Sequence, residues 1–167
     1  MIKSTVHLTL LFMFFIICLS QENSFKGADF QKHQFDFWVG DWNVYKYSTD
    51  TIVGVSAIKP ILNHTTIEES YQALRHKYKG KSLNTYNAKK EQWEQFWVDN
   101  SGTRLHLKGR FEKNKMSMSD CEEVSETCNR ITWTVLNDKT VRQEWEQSKD
   151  NGKTWNKVFD GHYKKRE

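Results

Sequence analysis

Apolar and polar residues along this chain alternate in short runs, and no long segment shows the roughly 3.6-residue apolar spacing of a helix. The runs are rich in Val, Ile, Thr and aromatic residues, with turn residues between them. The pattern predicts about ten strands, over 41–47, 51–59, 64–72, 80–87, 92–99, 103–111, 114–119, 128–136, 140–148 and 154–165. The linkers are short. Asn87-Ala88-Lys89-Lys90, Asn100-Ser101-Gly102, Asn137-Asp138-Lys139 and Asp150-Asn151-Gly152 carry turn chemistry. Strands joined by tight loops run antiparallel, and a long meander removes its exposed edges most simply by closing on itself. The expectation is an all-β fold, an antiparallel up-and-down barrel, with residues 27–38 forming a short helix or turn that plugs one end.

The same alternation assigns faces. In 141–147, Val141, Gln143, Trp145 and Gln147 share one face, and Arg142, Glu144 and Glu146 the other. The charged face belongs in solvent, which turns Gln143 and Trp145 inward. By analogy, Trp93, Gln95, Trp97 and Asp99 point inward from 93–99, leaving Phe96 and Val98 outside. Ile67, Glu69 and Tyr71 share a face of 64–72, and Ser82, Asn84 and Tyr86 share one of 80–87. An interior that mixes Trp with amides and carboxylates is not an ordinary dry core, because each buried polar group needs a partner. A hydrogen-bonded network that sets the barrel register would supply partners, and so would a ligand.

Composition narrows the setting. Aromatic residues make up 14% of the chain and proline occurs once, which favours strands over a helical fold. Lys3, the apolar run 8–17 (broken only by Thr9) and Cys18-Leu19-Ser20 have the layout of a secretory signal peptide, with cleavage expected after Ser20. Lipidation of Cys18 is the rival reading, disfavoured by the bulky Ile17 before it. The expected organisation is therefore a signal peptide over 1–20, a linker over 21–34 and a barrel domain over 35–167, secreted or periplasmic. No second apolar span follows. The net charge of +4 is spread among acids and bases, without the concentrated basic stripe of a nucleic-acid surface. Once the leader is gone, Cys121 and Cys128 are the two remaining cysteines, and an even, close pair in an oxidising compartment reads as a disulfide around the acidic loop 122–127.

Two local motifs stand out. Phe35-Asp36-Phe37-Trp38-Val39-Gly40-Asp41-Trp42 concentrates four large aromatics beside a glycine that permits a tight bend, and is read as a packed plug. Ser148-Lys149-Asp150-Asn151-Gly152-Lys153-Thr154-Trp155 matches S-x-D-x-G-x-T-W, the Asp-box of sialidases and other β proteins. A single copy argues for a hairpin turn, not for sugar chemistry.

The octapeptide at 35–42 resembles the F-D-F-W-x-G-x-W opening of a family of exported bacterial proteins of uncharacterised function. The likeness continues through Gly80-Lys81-Ser82-Leu83-Asn84 with Tyr86, through Trp93-Glu94-Gln95-Phe96-Trp97-Val98-Asp99, and through Arg130-Ile131-Thr132-Trp133. Val141-Arg142-Gln143-Glu144-Trp145-Glu146 and Phe159-Asp160-Gly161 with Tyr163 extend it to the end. The resemblance implies a lipocalin-like or calycin-like barrel and no particular reaction. The cysteine-bracketed acidic loop departs from it.

Functionally, these readings point to a non-enzymatic exported barrel that binds a small, partly apolar ligand. The candidate ligand contacts are Glu69, Tyr71, Asn84, Tyr86, Gln95, Trp97, Asp99, Gln143 and Trp145. The alternative is an enzyme or accessory protein acting on a carbohydrate or other exported metabolite, with Glu69 and Asp99 as the acid and base. His33, His64, His76, His106 and His162 show no metal-binding spacing, and no cofactor motif is present.

Overall fold

The computed structural model describes residues 30–121 and 126–166. The expected leader, its cleavage point and most of the linker lie outside the described residues, as does part of the acidic loop. The chain divides into two units, Met1–His33 and Gln34–Glu167. Of the first, the described part is one turn in which the His33 N–H donates to the Phe30 carbonyl (3.2 Å).

The second unit is a closed barrel. Its strands are β1 (Gly40–Lys46), β2 (Ile52–Ile61), β3 (Thr66–Ala73), β4 (Lys79–Asn87), β5 (Gln92–Asp99), β6 (Arg104–Glu112), β7 (Lys115–Ser119), β8 (Cys128–Val135), β9 (Val141–Ser148) and β10 (Asn156–Lys165). Each pairs antiparallel with its sequence neighbour, and β1 pairs with β10 to close the ring. This is the lipocalin-like, up-and-down all-β architecture that the alternation predicts, with strand ends within about two residues of expectation. One two-residue offset is at His64, expected in a strand. Leu62, Asn63 and His64 all adopt positive φ (50°, 54° and 63°), so the chain is still turning there and pairing resumes at Thr66.

One end of the barrel is filled with aromatic side chains. A 3₁₀ turn, Asp36–Trp38, lays Phe35 and Trp38 across that end, where both are fully buried. Phe35 stacks on Trp38 at 5.0 Å and meets the rings of Trp93 and Trp133 edge-on at 5.6 and 5.1 Å. The chain then turns into β1 through Gly40, whose φ of 143° is open to glycine. The Trp42 indole N–H donates to the Trp38 carbonyl (2.9 Å) and ties the turn to the strand. Offset and edge-to-face contacts of this kind add about 0.5–1.5 kcal/mol per pair beyond burial, which suits a cap assembled from one short segment.

The outer face of β9 carries an ion-pair lattice, as its charged residues require. Arg142 bridges Glu144 and Asp160 (both 2.9 Å), and Lys157 reaches the same two acids at 3.0 and 2.8 Å. Phe96 and Val98 are 43% and 58% exposed, and the inward assignment of Trp93, Gln95 and Trp97 holds. Cys121 and Cys128 form a disulfide. The Asp-box segment is a hairpin turn. Asp150 accepts from the Thr154 N–H (2.8 Å) and from the Ser148 hydroxyl (2.7 Å), Gly152 takes φ 85°, and the Trp155 indole donates to the Gly152 carbonyl (3.0 Å). Every one of these bonds stays within the turn.

Candidate functional site

The end of the barrel opposite the aromatic plug is hollow. A cavity of about 600 Å³ opens there. Its deep end presents Glu69, Gln95 and Tyr163, all but inaccessible to solvent. Tyr71, Trp97, Trp145 and Phe159 form the walls, and Lys46, His76 and Lys157 stand among the residues of its rim. A volume of this size suits a ligand of one to three rings, within the usual range of about 300–1,000 Å³ for small-molecule sites.

Strand glycines keep the walls thin. A Cβ at Gly80 would lie 2.1 Å from the Trp97 ring, one at Gly54 would lie 2.5 Å from the Tyr71 hydroxyl, and one at Gly161 would lie 2.6 Å from the Phe159 ring. Each glycine is a diagonal or same-face neighbour of the aromatic it accommodates. The rings therefore lie flat against the backbone instead of projecting across the lumen. With any larger residue at those positions, three of the four wall aromatics would be pushed inward.

The deep polar groups form one directed network. The Asn84 amide N–H₂ donates to the Ile67 carbonyl (3.2 Å) and to the Ser82 hydroxyl (3.0 Å). Ser82 and Ser56 donate in turn to the Glu69 carboxylate (3.3 and 2.9 Å), which Tyr163 also hydrogen-bonds. The Gln95 amide donates to Asn84 Oδ1 (2.9 Å), and Gln95 Oε1 has no partner, nor does Gln143 Oε1. An acceptor buried without a donor costs about 1–3 kcal/mol. Burial raises the Glu69 carboxyl to about 7, and the Ser56, Ser82 and Tyr163 bonds only partly offset it. Burial and the charge of Glu69 push the Tyr71 hydroxyl up to about 12.

The indole N–H groups of the walls point away from the lumen. Trp97 donates its indole N–H to Asp99 Oδ2 (3.2 Å), as Tyr78 does its hydroxyl (2.9 Å). Trp145 donates to Asn129 Oδ1 (3.0 Å). Asp99 itself is a turn clamp. Its other oxygen accepts from the Ser101 and Thr103 N–H groups (2.9 and 3.1 Å) and from the Ser101 hydroxyl (2.6 Å). Burial opposes its ionisation, but these bonds outweigh that and hold the carboxyl well below the usual carboxylate range.

Of the residues singled out from the sequence, Glu69, Tyr71, Gln95, Trp97, Gln143 and Trp145 come together on the cavity surface. Asn84, Tyr86 and Asp99 do not line it. Asn84 acts one layer behind, by orienting Gln95. Tyr86 packs against Trp93, whose ring meets the Phe35 plug at the filled end. Asp99 sits in the β5–β6 turn, behind the Trp97 and Tyr78 that it holds. Sequence reasoning missed Tyr78, Phe159 and Tyr163. Phe159 was the hardest to find, because a register shift between Lys157 and Phe159 breaks the period that assigns its face. Among the described residues, no cluster of His, Cys, Asp and Glu could hold a metal ion, and no helix is long and apolar enough to cross a membrane.

Fold and site together define a closed, lipocalin-like antiparallel barrel with one filled end and one hollow end. No protein-family model matches the chain, and a comparison with curated proteins finds no match.

Proposed function

We propose that this protein is an exported, non-enzymatic barrel that binds a small, partly apolar ligand in its open-ended cavity. The observation that carries the reading is the pairing of a wide aromatic lumen with a buried, unpartnered amide oxygen at Gln95. A chain selected only for stability would fill such a space and satisfy such an atom. The Cys121–Cys128 disulfide supports an oxidising compartment, and so supports export. The resemblance to an exported bacterial family agrees with both points. The enzymatic alternative has less support, because the Asp99 carboxylate is engaged by five donors within its own turn and with two aromatic side chains.

The test is fluorescence titration with N-phenyl-1-naphthylamine, followed by a thermal-shift survey of neutral, anionic and cationic aromatics. Saturable one-to-one enhancement is expected, weakened about tenfold or more by Leu105→Trp, which fills the lumen with a bulky side chain. The absence of both fluorescence enhancement and a thermal shift, with every compound, would overturn the proposal.

A further inference from the structure

The directions of the Asn84, Gln95 and Ser82 hydrogen bonds at the deep end of the cavity follow from a fixed starting point. The Ile67 carbonyl can only accept, so the Asn84 amide must turn its N–H₂ toward it. That leaves Asn84 Oδ1 facing Gln95, so Gln95 must present its own N–H₂ there and its oxygen elsewhere. Gln95 is 1% exposed, lines the cavity, and leaves that oxygen without a partner. Ser82 accepts from Asn84, so its single proton goes to Glu69. The indole and phenol donors of Trp97, Tyr78 and Trp145 are spent on Asp99 and Asn129. Beside Gln95 and Glu69, the deep end therefore offers a ligand acceptors and, next to them, aromatic faces. Tyr71 adds a hydroxyl that can accept as readily as donate.

We propose that the ligand is a nitrogen base with an aromatic-sized apolar body, whose N–H groups are bound by Gln95 Oε1 and the Glu69 carboxylate. This inference rests on the binding reading above and names the ligand class of the same cavity. Glu69 takes part in none of the ion pairs among the described residues, so its charge is left for a ligand to meet. The cationic side chains near the cavity stand at the rim, and of these Lys157 is already paired with Glu144 and Asp160. An ammonium or amidinium at the deep end would satisfy Gln95 and neutralise Glu69. Its body would lie between Trp97 and Trp145, whose ring faces also favour cations. An anionic ligand would meet the unpartnered oxygens and the carboxylate at once, and gains nothing from these groups. A buried carboxyl in a cavity, with burial opposing its ionisation, is the kind of group that marks functional sites.

Calorimetry at pH 8 with three probes that share one body decides the matter: 2-(1-naphthyl)ethylamine, 2-(1-naphthyl)ethanol and 1-naphthaleneacetate. The wild-type protein is expected to bind the amine about tenfold or more tighter than either of the others, as a charge-assisted contact over a neutral one implies. Glu69→Gln should bring amine and alcohol to within about threefold of each other, and Gln95→Leu should weaken the amine by about tenfold. The wild-type ranking stands as a test even where a variant fails to fold. Alcohol or acetate binding as tightly as the amine overturns the inference and leaves the cavity reading intact. So does an amine that fails to bind while N-phenyl-1-naphthylamine still does. No binding of any of these molecules overturns both.

Discussion

Glu69 illustrates how a single side chain sets a measurable property of the whole protein. Its carboxyl titrates near 4.5 when free and near 7 in the folded barrel. Below about pH 4.5 it is protonated in both states and costs nothing. Between about 4.5 and 7 the unfolded chain releases a proton that the native state keeps, so stability falls as pH rises. Above about 7 the loss is complete and constant, at about 3 kcal/mol. Glu69→Gln keeps the shape, removes the charge, and should flatten this slope. We expect the variant to match or trail the wild type at pH 4.5 and to exceed it by about 1–3 kcal/mol at pH 8. Urea denaturation of both proteins across this range measures the difference. Glu94 and Asp99 shift the other way, but they contribute equally to both proteins and cancel. A variant that gains stability at pH 8 while losing amine selectivity would show that Glu69 is kept for the ligand.

At the scale of elements, the lumen is kept open by strands that carry glycine where a neighbouring strand or the same strand presents an aromatic. Period-two alternation places Trp97 and Tyr71 on inner faces, and this was legible in the sequence. That Gly80 lies under Trp97, and Gly54 beside Tyr71, depends on the β4–β5 and β2–β3 registers, which no local pattern specifies. Gly80→Ala forces the Trp97 ring off the wall. It is expected to destabilise the barrel by about 1–3 kcal/mol and to weaken N-phenyl-1-naphthylamine binding, read by denaturation and by fluorescence titration. Unchanged binding would mean that Trp97 is not a wall of the occupied site. The Asp99 turn shows the opposite limit. Its bonds with Ser101, Thr103 and Trp97 are local to the turn, whereas the bond from Tyr78 comes from the β3–β4 loop and is tertiary.

Across the molecule, the two ends of the barrel have separate tasks. The filled end holds Phe35, Trp38, Trp93 and Trp133 in one buried cluster around Phe35, and the hollow end holds the cavity. Phe35→Ala should therefore cost about 3–5 kcal/mol of stability, the usual loss for a fully buried aromatic. It should leave probe affinity in the folded protein within about twofold, because the truncated ring lies beyond the cavity floor. Denaturation and titration on the same sample test the separation. A large loss of affinity would mean that the plug also shapes the cavity.

The strand count, the antiparallel order, the inner faces, the plug segment and the cysteine pair follow from the sequence by itself, because each depends on contacts between near neighbours or on a period of two. The register of β1 on β10, the hollow at one end and the orientation of Gln95 depend on residues far apart in the chain. Ile67, Asn84 and Gln95 become a directed chain of donors and acceptors only when β3, β4 and β5 lie side by side in their observed registers. A list of inward polar residues could serve a packed network or a ligand site equally well. The tertiary structure separates Asn84 and Ser82, which are bonded within the network, from Gln95 and Gln143, whose buried amide oxygens have no partner.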